Sequence, residues 1–249
     1  ADMSNPLAIG SHDSWFNVTD HRPISTLYLG WTLGAFLLGA LLSLWLTLKS
    51  TTGAVQDVDF LFQIVTYHRL VLVFLFLVPA IPSILGYRLL PGLIGAGEFA
   101  FPGMSRLSLR FYVLGLALLI VSIIAGPVAT GWRLPTPLSL QSGGAFGFLA
   151  LGLFFLAASW FITGVNIIVT VHYRRGRDVD FFGMPLLGWG LYLGAYQLVF
   201  AGVMFAIVIL YLAGGQLTGR GLFGADSDPL LWQNYFWFAL RPAVFFALI

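Results

Sequence analysis

The chain has 249 residues, of which 59% are hydrophobic and only 9% charged, where an ordinary soluble domain carries roughly 25% charged residues; its mean hydropathy is +0.91. These values exclude a soluble globular protein, and a net charge of +2 offers no basic surface for nucleic acid. The lack of any cysteine excludes disulfides, thiolate nucleophiles, cysteine-held iron–sulfur clusters and c-type haem attachment through this chain.

Up to Asp20 the sequence is polar and lacks the charged, apolar and small-residue regions of a signal peptide. Residues 1–24 therefore read as an N-terminal tail and 25–249 as a membrane-embedded helical bundle. Asn17-Val18-Thr19 matches a glycosylation triplet, but it falls on the side read below as cytoplasmic. Apolar runs of about 20 residues, enough to cross roughly 30 Å of hydrocarbon, predict six spans, near 25–48, 60–88, 107–127, 144–172, 184–213 and 230–249. Open strands leave backbone groups unpaired in lipid, so the fold class is all-α. The turn formers gather between the spans, as in Gly92 to Pro102, Pro135 to Gly144 and Gly214 to Pro229. The last span has no polar anchor after Phe246, and the natural protein is expected to continue beyond it.

Lysine and arginine divide unequally between the two sets of loops. Arg22, Arg88, Arg106, Arg110, Arg174, Arg175 and Arg177 fall on one side, and Lys49, Arg133 and Arg220 on the other. Cytoplasmic loops keep the excess, which puts the N-terminus inside, in the cytoplasm of a bacterium or the matrix of a mitochondrion. Two arginines, Arg69 and Arg241, lie within spans, whereas all ten carboxylates fall in loops or at helix ends. An arginine at mid-membrane costs at least about 2.5–3.5 kcal/mol on insertion scales, so Arg241 is expected to be buried in the bundle opposite a compensating group, or to snorkel to the headgroups.

In the first span Gly30, Gly34 and Gly39, and in the fifth Gly188, Gly190 and Gly194, have the close spacing that lets helices pack tightly in lipid. Pro79 and Pro82 are expected to disturb the second span and to free carbonyls that neighbouring helices must satisfy. Of four histidines only His68 is intramembrane, about 13 Å along the second span from Asp59. A neutral imidazole there is suited to be an axial haem ligand, and the plain alternative is a histidine bonded to a neighbouring helix.

Several segments together resemble subunit I of the haem-copper oxidases. Around His68 the run T-Y-H-R-L-V-L-V-F-L-F-L-V-P-A-I-P-S-I-L-G is similar to the family's second helix, which opens on T-x-H-G. Thr66, His68, Pro79, Ala80, Gly86, Pro91, Ile94, Gly95, Ala96, Ala100, Phe101 and Pro102 keep that register into the following I-G-A-P-D-x-A-F-P loop. Thr19-Asp20-His21-Arg22, Gly131-Trp132, Pro135, Pro137, Leu138, Ser139, Asn166, Thr170, Met184-Pro185-Leu186 and Asp228-Pro229 also match. The sixth span places Phe236, Trp237, Phe238, Ala239, Leu240, Arg241, Pro242, Ala243, Val244 and Phe245 on the family's F-W-F-F-G-H-P-E-V-Y. The resemblance covers nearly the whole chain and about the N-terminal half of a typical subunit I, and implies a bundle like that family's first six helices.

It also implies a low-spin haem, b-type or a-type, with His68 as one axial ligand and the second ligand from outside this chain. The departures fall on the chemistry. Arg69 replaces the glycine beside the haem ligand, where its bulk blocks a porphyrin or its charge reaches a propionate. Glu98 stands at the aspartate of the proton-channel entrance, with Ser105 and Arg106 where asparagines are usual. Arg241, Ala243 and Phe245 replace the copper-ligand histidine, the proton-relay glutamate and the cross-linked tyrosine. Guanidinium has no lone pair for a metal, so no copper and no oxygen-reducing centre are expected.

The reading is a structural membrane subunit of a respiratory or electron-transfer complex, partnered by other membrane subunits and lipid, with a haem on His68. One alternative is the N-terminal part of an active oxidase completed by further chain or a partner. Another is a quinone-binding subunit using Arg241 and the aromatic cluster at Trp232, Tyr235, Phe236 and Trp237, whose sign is a cavity at Arg241 open to the bilayer.

Overall fold

Where no water is available to a backbone group, the chain must pair it internally, and the described residues do so as helices, with no strand among them. The computed structural model describes residues 20–52, 57–220, 222–223 and 228–247. Five helices are long and apolar enough to cross a membrane: α1 (His21–Thr52), α2 (Val58–Leu93), α3 (Pro102–Ala125), α4 (Ala145–Tyr173) and α5 (Leu186–Thr218). The sixth expected span is a shorter helix, α6 (Pro229–Phe246), of 18 residues. It does not join the five because Gln233, Asn234 and Arg241 dilute its apolar character. The protein is an all-helical membrane bundle.

Helix ends follow local chemistry. Asp57 and Asp228 accept hydrogen bonds from Phe60 N (3.0 Å) and Leu230 N (2.8 Å), capping α2 and α6. Pro102 and Pro229 occupy first-turn positions that need no N–H. Gly219 ends α5 in the left-handed region, at φ 66°. α1 starts at His21, inside the segment read as tail, while His12, Asp2, Asp13 and Asn17 lie outside the described residues.

α2 departs most from a regular helix. It contains two π-helical segments, Val71–Leu77 and Ala80–Gly86, on either side of the region of Pro79. Proline lacks the N–H that a regular helix donates four residues back, which frees the carbonyl of Leu75. Tyr112 Oη on α3 donates to that carbonyl at 2.7 Å, and Ser25 Oγ on α1 donates to Ile84 O at 3.0 Å. The irregular span is thus tied to both neighbours.

α4 is the central helix, packed between α3 and α5 and touching α2. Gly115 and Gly152 meet across α3 and α4 so closely that a Cβ on Gly115 falls 2.9 Å from Gly152 O. Of the glycines in α1, only Gly39 is used this way, under Leu72 of α2; Gly30 and Gly34 face open space. In α5, Gly194 seats the ring of Phe246, whereas Gly190 is open. Phe74 stacks against Trp160 (5.8 Å between centroids) and Phe205 (5.1 Å), and Phe205 meets Phe236 at 5.9 Å, so one aromatic seam joins α2, α4, α5 and α6.

Two outcomes are expected. Gly115→Val overpacks the α3–α4 contact and lowers stability by about 1–3 kcal/mol, measured by unfolding in detergent. Tyr112→Phe leaves the Leu75 carbonyl unpaired and costs about 1 kcal/mol by the same measurement, whereas Tyr211→Phe, on the exposed face of α5, changes little.

Candidate functional site

His68 lies two residues from the end of the regular helical part of α2 and is partly buried. Its Nδ1 is 2.9 Å from Gly39 O on α1, a contact that Gly39 permits by having no side chain. A backbone carbonyl only accepts, so Nδ1 is the donor, and in the neutral imidazole Nε2 then keeps the lone pair. That is how proteins orient metal-ligating imidazoles. Among the described residues no group of three or more His, Cys, Asp or Glu side chains is placed to hold a metal ion. Thr66, one half-turn away, accepts a hydrogen bond from Gly131 N (2.8 Å) and so fixes the α3–α4 loop beside this region. Arg69 is exposed, about 100° round the helix from His68.

A second set of polar groups runs through the core between α1, α2, α3 and α4. Tyr28 Oη is 2.7 Å from Ser108 Oγ and 3.2 Å from Ser159 Oγ; Ser108 Oγ is 2.7 Å from Thr163 Oγ1, to which Tyr87 Oη donates at 3.3 Å. Toward the α2–α3 loop, Asn166 Nδ2 donates to Ser105 Oγ (2.8 Å) and Phe101 O, and Asn166 Oδ1 accepts from Phe101 N. Thr170 Oγ1 accepts from Ala100 N at 3.0 Å. The sequence singled out Asn166, Thr170, Ser105, Ala100 and Phe101 but not Tyr28, Tyr87, Ser108, Ser159 or Thr163. Their signal was present: Ser159, Thr163, Asn166 and Thr170 recur along one face of α4 at four- and three-residue steps.

Glu98 lies in the loop between α2 and α3 and is exposed. It lines a polar cleft of about 390 Å³ with Asp20, His21 and Arg22. Its carboxylate lies 3.8 Å from Arg174, and both side chains are at least half exposed, so the pair adds little stability.

Arg241 requires a correction. It is not buried in the bundle but exposed on the surface of α6, and among the described residues it has no ion pair or hydrogen bond. Hydropathy locates a residue along a span and says nothing of which way it faces. Tyr196, Gln197 and Phe200 of α5 and Trp237, Arg241 and Phe245 of α6 line an open groove of about 750 Å³. Ala243 points the other way and is fully buried, so the three altered positions of α6 do not converge. Of the aromatic cluster read around Arg241, Trp237 lines the groove, whereas Trp232 and Phe236 are in the core.

The fold is that of an all-helical polytopic membrane bundle, in which a partly buried histidine, His68, is held through Nδ1 against α1. The family model for cytochrome c and quinol oxidase polypeptide I matches residues 23–249, and the chain belongs to that family. Its relatives include cytochrome c oxidase subunit 1 of Synechocystis, 27% identical over 92% of this chain and 42% of the relative. Cytochrome c oxidase polypeptide 1 of Halobacterium salinarum is 29% identical over 93% of this chain and 40% of the relative. The chain thus spans about two-fifths of the length of these relatives.

Gly39→Ala is expected to push α1 away from Leu72 and break the His68–Gly39 bond. Imidazole nitrogen NMR checks this: the Nδ1-protonated tautomer dominates in the parent protein and gives way to a tautomer mixture in the variant.

Proposed function

We propose that this protein is a membrane subunit of a respiratory oxidase-type complex, in which His68 supplies one axial ligand to a b-type or a-type haem and other subunits supply the rest of the site. The observation that carries the reading is the Nδ1 contact to Gly39 O, which leaves Nε2 free to bind iron. A haem held there supplies one-electron transfer. The chain's own part is to orient the imidazole, to shield it with the α1–α2 contact, and to present Arg69 at the neighbouring exposed position, where it suits a propionate.

Copper chemistry is not assigned to α6. Arg241 stays protonated and offers no lone pair, Phe245 has no hydroxyl, and Ala243 carries no acid. The buried hydroxyls of Tyr28, Ser108 and Thr163 suit a polar path, but no carboxylate stands at the relay position to receive a proton. The N-terminus is assigned to the cytoplasmic side by the arginine excess in its set of loops.

The test is a reduced-minus-oxidised spectrum with a pyridine haemochrome count on the purified native assembly. His68→Ala is expected to lose one haem per copy of this chain with the assembly intact, and Arg69→Gln to shift the haem potential without losing haem. An unchanged haem count in an intact His68→Ala assembly overturns the reading.

A further inference from the structure

Where α4 ends and α5 begins, the polar tips of three side chains meet. His172, the last residue but one of α4, places Nε2 2.8 Å from Tyr192 Oη and 3.5 Å from Tyr196 Oη on α5, and the two phenol oxygens are 3.0 Å apart. Tyr192 and Tyr196 stand one helical turn apart, so both project from one face of α5 toward His172. The proposed haem site uses none of the three.

Aromatic rings clamp the set. Tyr192 lies edge-on to Tyr196 (5.3 Å between centroids), His172 (5.5 Å), Phe181 (5.7 Å) and Trp189 (5.8 Å), and Phe181 stacks on His172 at 6.2 Å. Tyr192 is only 7% exposed, whereas His172 and Tyr196 are exposed. The donor atoms are thus held firmly on one side and accessible on the other.

Their spacing points to a metal ion. Bonds of about 2.0–2.2 Å from a metal to nitrogen or oxygen put donors at right angles about 2.8–3.1 Å apart, and tetrahedral ones about 3.3–3.6 Å apart. The edges of 2.8, 3.0 and 3.5 Å therefore match one face of a coordination shell. Without an ion, hydrogen bonds running from Tyr196 to Tyr192 to Nε2 keep the same three atoms together, and an ion takes the place of the two phenol protons. A facial set of imidazole and anionic oxygen with open positions beside it suits non-haem iron. Two phenolates also bring two negative charges, which favour the ferric over the ferrous ion.

We infer that His172, Tyr192 and Tyr196 form a non-haem ferric-iron site at the junction of α4 and α5. On binding, each phenol releases its proton to water, Nε2 gives its lone pair to the iron, and water fills the open positions. The inference does not rest on haem binding at His68.

The test is a titration of the purified native assembly with ferric nitrilotriacetate, followed by visible spectroscopy and by metal analysis corrected for haem iron. One non-haem ferric ion per copy of this chain is expected, with a phenolate-to-iron charge-transfer band that haem does not produce. Tyr192→Phe and Tyr196→Phe keep the ring packing, and each should weaken ferric binding at least about 100-fold, since even an outer-shell partner of a ligand is worth 10–100-fold. His172→Gln should weaken binding but retain the band, and Tyr211→Phe, on the exposed face of α5, should change neither. Absence of ferric binding, binding without the charge-transfer band, or a band that survives Tyr192→Phe combined with Tyr196→Phe overturns the inference. The haemochrome count of the same samples shows that the assembly is intact and reports separately on the haem reading.

Discussion

The bond from Tyr112 to the Leu75 carbonyl is the constraint on which the arrangement turns. In hydrocarbon a carbonyl released by proline has no water to turn to, so a neighbour must supply the donor or the span must straighten. Pro79 therefore dictates that α3 lies against α2 at that height, and the Ser25–Ile84 bond sets α1 on another side. The π-helical segments turn the residues that follow relative to those that precede. His68 lies just before the first of them, on a part of α2 that is held against α1 by its own bond to Gly39.

The central helix combines two properties that rarely go together. α4 is apolar enough to span a membrane, yet Ser159, Thr163, Asn166 and Thr170 are all buried. Each short polar side chain is bonded either to a backbone group or to another hydroxyl, so none carries the cost of an orphan in a low dielectric. Asn166 also fixes the α2–α3 loop by bonding both N–H and C=O of Phe101. The loop bearing Glu98 is thereby tied to α4 at Ala100 and Phe101.

How much was legible depended on what each signal measures. Apolar runs mark lengths of chain that lipid accepts, and they located the five long helices and α6 to within a few residues. Pro79 announced its freed carbonyl because the missing N–H is a property of the residue itself. Which glycines make contacts was not legible, since Gly34 and Gly39 differ only in facing and Leu72 decides the matter. Arg241 failed for the same reason: depth along the helix follows from counting, whereas orientation follows from how α6 is rolled against α5. His68 was singled out for its solitude, but its tautomer depends on Gly39, 29 residues away.

α6 shows how a site is altered without disturbing a fold. Its buried face, Trp232, Phe236, Ala239, Leu240, Ala243 and Phe246, follows the helical period and meets α5 and the α3–α4 loop. Trp232 Nε1 donates to Arg133 O at 2.7 Å, and Phe246 rests on Gly194, so both ends of that face are pinned. Arg241 and Phe245 lie on the opposite, groove face. A charge there displaces no core side chain and leaves the aromatic seam intact. A residue that departs from the family register at this position thus leaves the packing of the fold unchanged.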